Sequence, residues 1–314
     1  MAAIVSPQKS TTVLKTSVRL GLRWHALRWA FAIGSWLMPK ATLQRAFRLF
    51  GTPLPGGRRQ ARGIDVSDAI VGHLAHGREQ VTTYVWGDAV RRPVVLLSHG
   101  WSGHGLQLRA WVAPLRQAGY AVVAFDQIAH GRSSGHRTTL PMFADVLARM
   151  EERFGPFAAV IGHSLGGAAA MIALSRGLRA ERTILISPAA DPLAAAQRFG
   201  GLVGLANHLS ARIFDEFESL TGIVVDGLQA HVNAPRIASP ALIVHDLEDR
   251  EVPWSEGERY ARYWPDARLL TTTGLGHKRI IDDAGVIAQA MSFLAGESVG
   301  QRVVSSPNLP YGIG

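Results

Sequence analysis

The 314-residue chain contains no cysteine, which excludes disulfides, thiolate catalysis, zinc ribbons and iron–sulfur clusters. No apolar run approaches the roughly 20 residues needed to cross a bilayer, so an integral membrane protein is not expected. H-E-x-x-H, P-loop and EF-hand patterns are missing too, so no metal, nucleotide or other cofactor is inferred. Acidic residues are absent before Asp65, a stretch that carries 11 basic ones and leaves 22 basic against 24 acidic in the remainder. The net charge of +9 therefore describes the N-terminal stretch, while the rest of the chain is near neutral. Nucleic acid is not an expected partner, because the basic residues alternate with large apolar ones and match no binding motif.

With 47% hydrophobic and 18% charged residues the chain is globular, and its length suits one large α/β core with appendages. Residues 1 to about 12 read as unstructured and about 13 to 50 as helix, with Leu20, Trp24, Leu27 and Phe31 at helical spacing among Arg19, Arg23 and Arg28. Three readings of this stretch stand side by side. Its stripe packs on the catalytic body; residues 13–50 make peripheral contact with an anionic membrane; or Leu27 to Met38 is the apolar core of a signal peptide.

Gly51 to Gly57, dense in proline and glycine, ends the helical pattern. Strand-like runs follow at 80–86, 93–98, 120–125, 157–162, 183–186, 241–245 and 268–272, with helical patterns near 106–118, 139–154, 165–179, 254–264 and 280–295. Such alternation predicts a mostly parallel sheet covered on both faces by helices. It stops between 190 and 238, where a helix-like insertion containing Ile213 to Phe217 is read as a small helical cap. The expected organisation is a basic, aromatic-rich helical extension over 1–60, a core over 61–189 and 239–296, the cap over 190–238, and a flexible tail over 297–314.

Within 158–167 an apolar run breaks into Gly162-His163-Ser164-Leu165-Gly166, the Gly-x-Ser-x-Gly of a nucleophile elbow. A serine at a sharp strand-to-helix turn has its hydroxyl exposed, and glycines two before and two after it relieve the crowding. The Leu165 amide then opens a helix whose dipole favours an oxyanion. The second donor of such a hole is sought after another strand, and Val94 to Ser98 runs into His99-Gly100-Trp101, making the Trp101 amide the candidate. Gly100, Gly103 and Gly105 do not form the G-x-G-x-x-G order of a dinucleotide loop.

A serine nucleophile needs a base, and the base needs orienting by a carboxylate. Strand 241–245 leads into an acidic turn ending before Val252-Pro253, where Asp249 is the candidate acid and Asp246 the reserve. Glu248 and Glu251 read as solvated turn residues, as does Asp246 if it is not the acid. Gly276-His277 follows the last strand and supplies the candidate base. His130, His104, His136 and His163 are read as packing or loop-shaping groups.

Taken together, His99-Gly100-Trp101, the Asp126 to Gly135 segment (D-x-x-x-H-G-x-S-x-G), Gly162 to Gly166, Asp249 with Val252-Pro253, and Gly276-His277 resemble the α/β-hydrolase superfamily, in particular its capped esterase-like and lipase-like members. The likeness runs from about Gln80 to Gly296, and Asp246 departs from it where relatives often have glycine. It implies a cofactor-independent serine hydrolase cleaving carboxylic esters of small to medium hydrophobic substrates, with Ser164, Asp249 and His277 as catalytic triad. The same triad serves thioesterases, acyltransferases and carbon–carbon hydrolases, and a silent hydrolase fold used for binding is a further alternative. A small-molecule ester is the expected partner and the cytoplasm the expected location; the sequence does not address oligomeric state.

Overall fold

The computed structural model describes residues 10–303. Eight strands form one sheet: β1 (Ile70–His76), β2 (Glu79–Trp86), β3 (Val94–Ser98), β4 (Ala121–Phe125), β5 (Phe157–His163), β6 (Ala180–Ile186), β7 (Ala241–Asp246) and β8 (Ala267–Thr272). Their spatial order is β1-β2-β4-β3-β5-β6-β7-β8. Strands β1 and β2 pair antiparallel, β2 joins β4 antiparallel, and every later pairing is parallel. β3 and β4 are buried at all five positions, as unbroken apolar runs such as Val94-Val95-Leu96-Leu97 require when helices cover both faces.

The helices are α1 (Ser10–Leu37), α2 (Pro39–Phe50), α3 (Pro55–Gly63), α4 (Val112–Gln117), α5 (Leu140–Phe154), α6 (Leu165–Ser175), α7 (Pro192–Val203), α8 (Asn207–Ser210), α9 (Ile213–Thr221), α10 (Ala230–Asn233), α11 (Trp254–Tyr263), α12 (Gly276–Arg279) and α13 (Ala284–Leu294). The last begins later than its sequence pattern because the Asp283 side chain accepts from the Val286 N–H at 2.9 Å and caps it. β1 has no counterpart among the expected strands. It is an edge strand with no fully buried residue, so it shows no apolar alternation to read.

The chain forms two compact units, residues 1–50 with 193–223, and residues 51–192 with 224–314. This corrects the expected boundaries. The extension ends at Phe50 rather than 60, because α3 is tied into the larger unit by side chain to backbone bonds. Arg58 donates to the Ala129, Ser133 and Gly135 carbonyls, and Arg132 returns to those of Ala61 and Ile64. The separate part of the insertion shortens from 190–238 to 193–223. The tail does not fray at 297 either, since Gln301 pairs with Leu269 in both directions beside β8; residues beyond 303 lie outside the described residues.

In the smaller unit the N-terminal helices pack on the insertion. The Arg28 guanidinium donates to the Gly201 and Leu202 carbonyls at the end of α7, satisfying groups that a helix C-terminus leaves open. Ser35 accepts from the Ala206 N–H at 3.1 Å, and Phe50 meets Phe199 and Phe214 edge to face. Phe31 is buried, whereas Trp24 is exposed, so only part of the expected stripe faces inward; Leu20 is not among the side chains described. Within the smaller unit the partner found for that face is the insertion. Pro39 opens α2 at the position where its missing N–H costs nothing, which splits the expected single helix at Met38.

Candidate active site

Because β3 to β8 run parallel, their C-terminal ends gather along one edge of the sheet. The loops after β3, β5, β7 and β8 carry Trp101, Ser164, Asp249 and His277 respectively.

Ser164 stands between β5 and α6 with φ 53° and ψ −121°, a strained conformation for a residue with a side chain. Its amide donates to the Ile186 carbonyl at 2.9 Å, which fixes the turn against β6. The flanking glycines are required by contact. A Cβ on Gly166 would lie 2.4 Å from the His99 carbonyl oxygen, and one on Gly162 would lie 2.7 Å from Gly167 Cα. Gly100 belongs to the same packing, since a Cβ there would come within 2.9 Å of Ser164 Cβ. Thus the segment carrying Trp101 passes directly beside the serine, and Leu165 is the first residue of α6.

Two buried histidines brace that segment. His99 donates from Nδ1 to the Gly100 carbonyl and accepts the Gln127 N–H at Nε2, while His130 donates from Nδ1 to Ile128 and accepts the Ser102 N–H at 2.9 Å. Burial pushes both imidazoles down to about 3, so each is neutral with its proton on Nδ1. Asp126 ties the neighbouring loops, accepting from the Tyr84 hydroxyl and from the Gly105 and Arg132 amides, each at 2.7 Å.

His277 donates from Nδ1 to Asp249 Oδ2 at 2.7 Å, leaving Nε2 as the basic nitrogen. Asp249 Oδ1 accepts from the Glu251 and Val252 amides at 2.9 Å. Burial alone would raise this carboxyl, but hydrogen bonds from His245 and His277, the charge on His277 and the Val252 amide outweigh it and hold it well below the usual range. The pair meets the serine's strand through His163, whose Nε2–H donates to the His277 carbonyl at 3.0 Å with the two rings 4.7 Å apart. Burial, reinforced by the charge on His277, pushes His163 down to about 3.

Asp246 is not the solvated residue the sequence suggested. It is fully buried and accepts from Thr272 Oγ1, Leu275 N and Glu248 N, lashing the end of β7 to the loop that presents His277. Sequence reasoning also passed over His245, and read Glu251 only as a solvated turn residue. The buried His245 lies 3.5 Å from Asp249 Oδ2 and donates to the Val252 carbonyl, and half-exposed Glu251 places an oxygen 4.0 Å from His277 Nε2. Neither had a signal beyond residence near the acidic turn. Among the described residues no cluster of histidines and carboxylates could hold a metal ion. A cavity of about 380 Å³ lined by Pro156, Phe157, Arg179, Ala180 and Ser239 lies at the opposite strand ends and involves none of these groups.

The chain is similar to several known proteins. A family model described as serine aminopeptidase, S33, matches residues 89–219. The chain is 25% identical over 258 residues to a protein of Variovorax paradoxus (strain S110) described as the carbamate hydrolase RutD, covering 69% of this chain and 94% of that one. Among solved structures it is similar to a membrane phospholipase A described as a bacterial virulence factor (TM-score 0.58, 17% identity, 90% of this chain and 98% of that one). It is also similar to the thioesterase domain of the curacin biosynthetic pathway (TM-score 0.54, 20% identity, 72% and 99%). This sheet order, with Ser164 after the fifth strand, Asp249 after the seventh and His277 after the eighth, and these similarities identify the α/β-hydrolase fold.

Proposed function

We propose that the protein is a serine hydrolase of carboxylic esters, working through an acyl-enzyme on Ser164. The observation that carries this reading is the 2.7 Å Asp249–His277 pair, presented at the same strand edge as the strained elbow at Ser164. Asp249 holds the proton of His277 on Nδ1, so Nε2 takes the Ser164 proton as Oγ attacks the ester carbonyl. Amides of Trp101 and Leu165 then stabilise the oxyanion, and His277 returns the proton to the departing alcohol. Water, deprotonated by His277, attacks the acyl-enzyme and releases the acid and Ser164. Small to medium hydrophobic esters are the proposed substrates, and the likeness to a phospholipase A fold is compatible with them.

Fluorophosphonate labelling and a chain-length series of p-nitrophenyl esters test this reading. Wild type is expected to label and turn over, and Ser164→Ala to do neither. An unlabelled wild type, or a Ser164→Ala variant hydrolysing at wild-type rate, refutes it.

A further inference from the structure

α1 is apolar on two sides. Leu27, Phe31 and Ser35 lie on one face, with Phe31 and Ser35 buried. Trp29, Ile33, Trp36 and Leu37, at i, i+4, i+7 and i+8, form a ridge on the other, exposed by 66%, 52%, 75% and 75%. Met38 extends the ridge at 64% exposure, and the exposed Lys40 follows at the start of α2. Four large apolar side chains in one exposed line are not the scattered apolar surface of an ordinary soluble domain.

The electrostatic setting selects what covers the ridge. No acidic residue precedes Asp65, and residues 1–50 with 193–223 hold ten basic residues against three acidic ones. A second copy seated on the same ridge through a two-fold axis would set this excess of positive charge against itself. An anionic lipid surface meets both features: indoles suit the headgroup level, where ring and N–H are both accommodated, and lysine and arginine pair with phosphate. No helix among the described residues is long and apolar enough to cross a membrane, so the helix would lie along the surface.

We infer that the Trp29–Ile33–Trp36–Leu37 ridge docks the protein on anionic bilayers, with α1 lying in the interface. This holds whatever bond Ser164 attacks. The face differs from the one suggested by the sequence stripe, because Phe31 of that stripe is buried.

Co-sedimentation of the full chain with vesicles of equal parts phosphatidylglycerol and phosphatidylcholine, against phosphatidylcholine alone, tests it. Binding is expected to the anionic vesicles, weakening tenfold or more between about 50 and about 500 mM salt. Brominated lipid should quench part of the tryptophan fluorescence. The Trp29→Ala/Trp36→Ala variant should bind on the order of tenfold more weakly and lose that quenching while remaining folded, its thermal midpoint lowered only by loss of the Trp36–His208 ring contact. Lys40→Glu should weaken binding about fivefold without altering the quenching of the bound fraction. Wild type left in the supernatant at low salt overturns the inference, as does a double variant that binds like wild type. A dimer that dissociates on the double substitution would assign the ridge to a second copy and overturn it equally.

Discussion

Lowering the pH from 7 to 5 should destabilise the fold through three histidines that it keeps neutral. His99, His130 and His163 are pushed down to about 3, in each case chiefly by burial, against about 6.5 for an exposed imidazole. Between these values the unfolded chain binds protons that the fold does not, so stability rises with pH across the window and falls as acid is added. At pH 5 each group costs about 2 kcal/mol relative to pH 7, and the three together about 6 kcal/mol, comparable with the whole stability of many domains. Asp246 and Asp249, whose pKa values are lowered in the fold, act in the same direction. Their contribution is intact above about pH 5 and is lost only below it, so they do not confuse the window. Urea unfolding followed by tryptophan fluorescence at pH 7, 6 and 5 reads the effect directly. His130→Gln, which keeps an acceptor for the Ser102 amide, should remove about one third of the loss between pH 7 and 5. Equal unfolding free energies at pH 7 and 5, or a His130→Gln variant with the full slope, would refute the reasoning.

Gly166→Ala places a methyl 2.4 Å from the His99 carbonyl oxygen and 2.5 Å from that of Ser98, neither of which can yield; a loss of about 3 kcal/mol and of fluorophosphonate labelling is expected, read by thermal unfolding and gel fluorescence. The two acidic candidates should separate by phenotype. Asp249→Asn is expected to remain folded, with a lowered thermal midpoint, and to cut ester turnover about ten-thousand-fold, because His277 loses the partner that sets its tautomer. Asp246→Ala strands donors from Thr272, Leu275 and Glu248 and should cost about 3 kcal/mol of stability. The opposite pattern, turnover kept in the first and lost in a stable second, would exchange their roles.

Short-range chemistry was readable before any coordinates. The Gly162-x-Ser164-x-Gly166 elbow is legible because its glycines answer contacts within one strand-turn-helix and the strand beside it. The buried strands β3 to β7 are legible because a parallel sheet covered on both faces demands continuous apolar runs, and the order serine, acid, histidine follows from the order of those strands. Whether Asp246 is buried could not be read, since its burial rests on partners 26 and 29 residues away. Nor could the working face of α1, which is apolar on both sides: periodicity offers Phe31 and Trp29 equally, and Phe31 turned inward because α7 and the Ala206 amide engage Arg28 and Ser35 on that side. Local sterics and hydrophobic period thus determine the elements and the elbow. Which polar groups are buried, and which apolar face is left for a partner, depend on surfaces brought together from distant parts of the chain, and those exist only once it has folded.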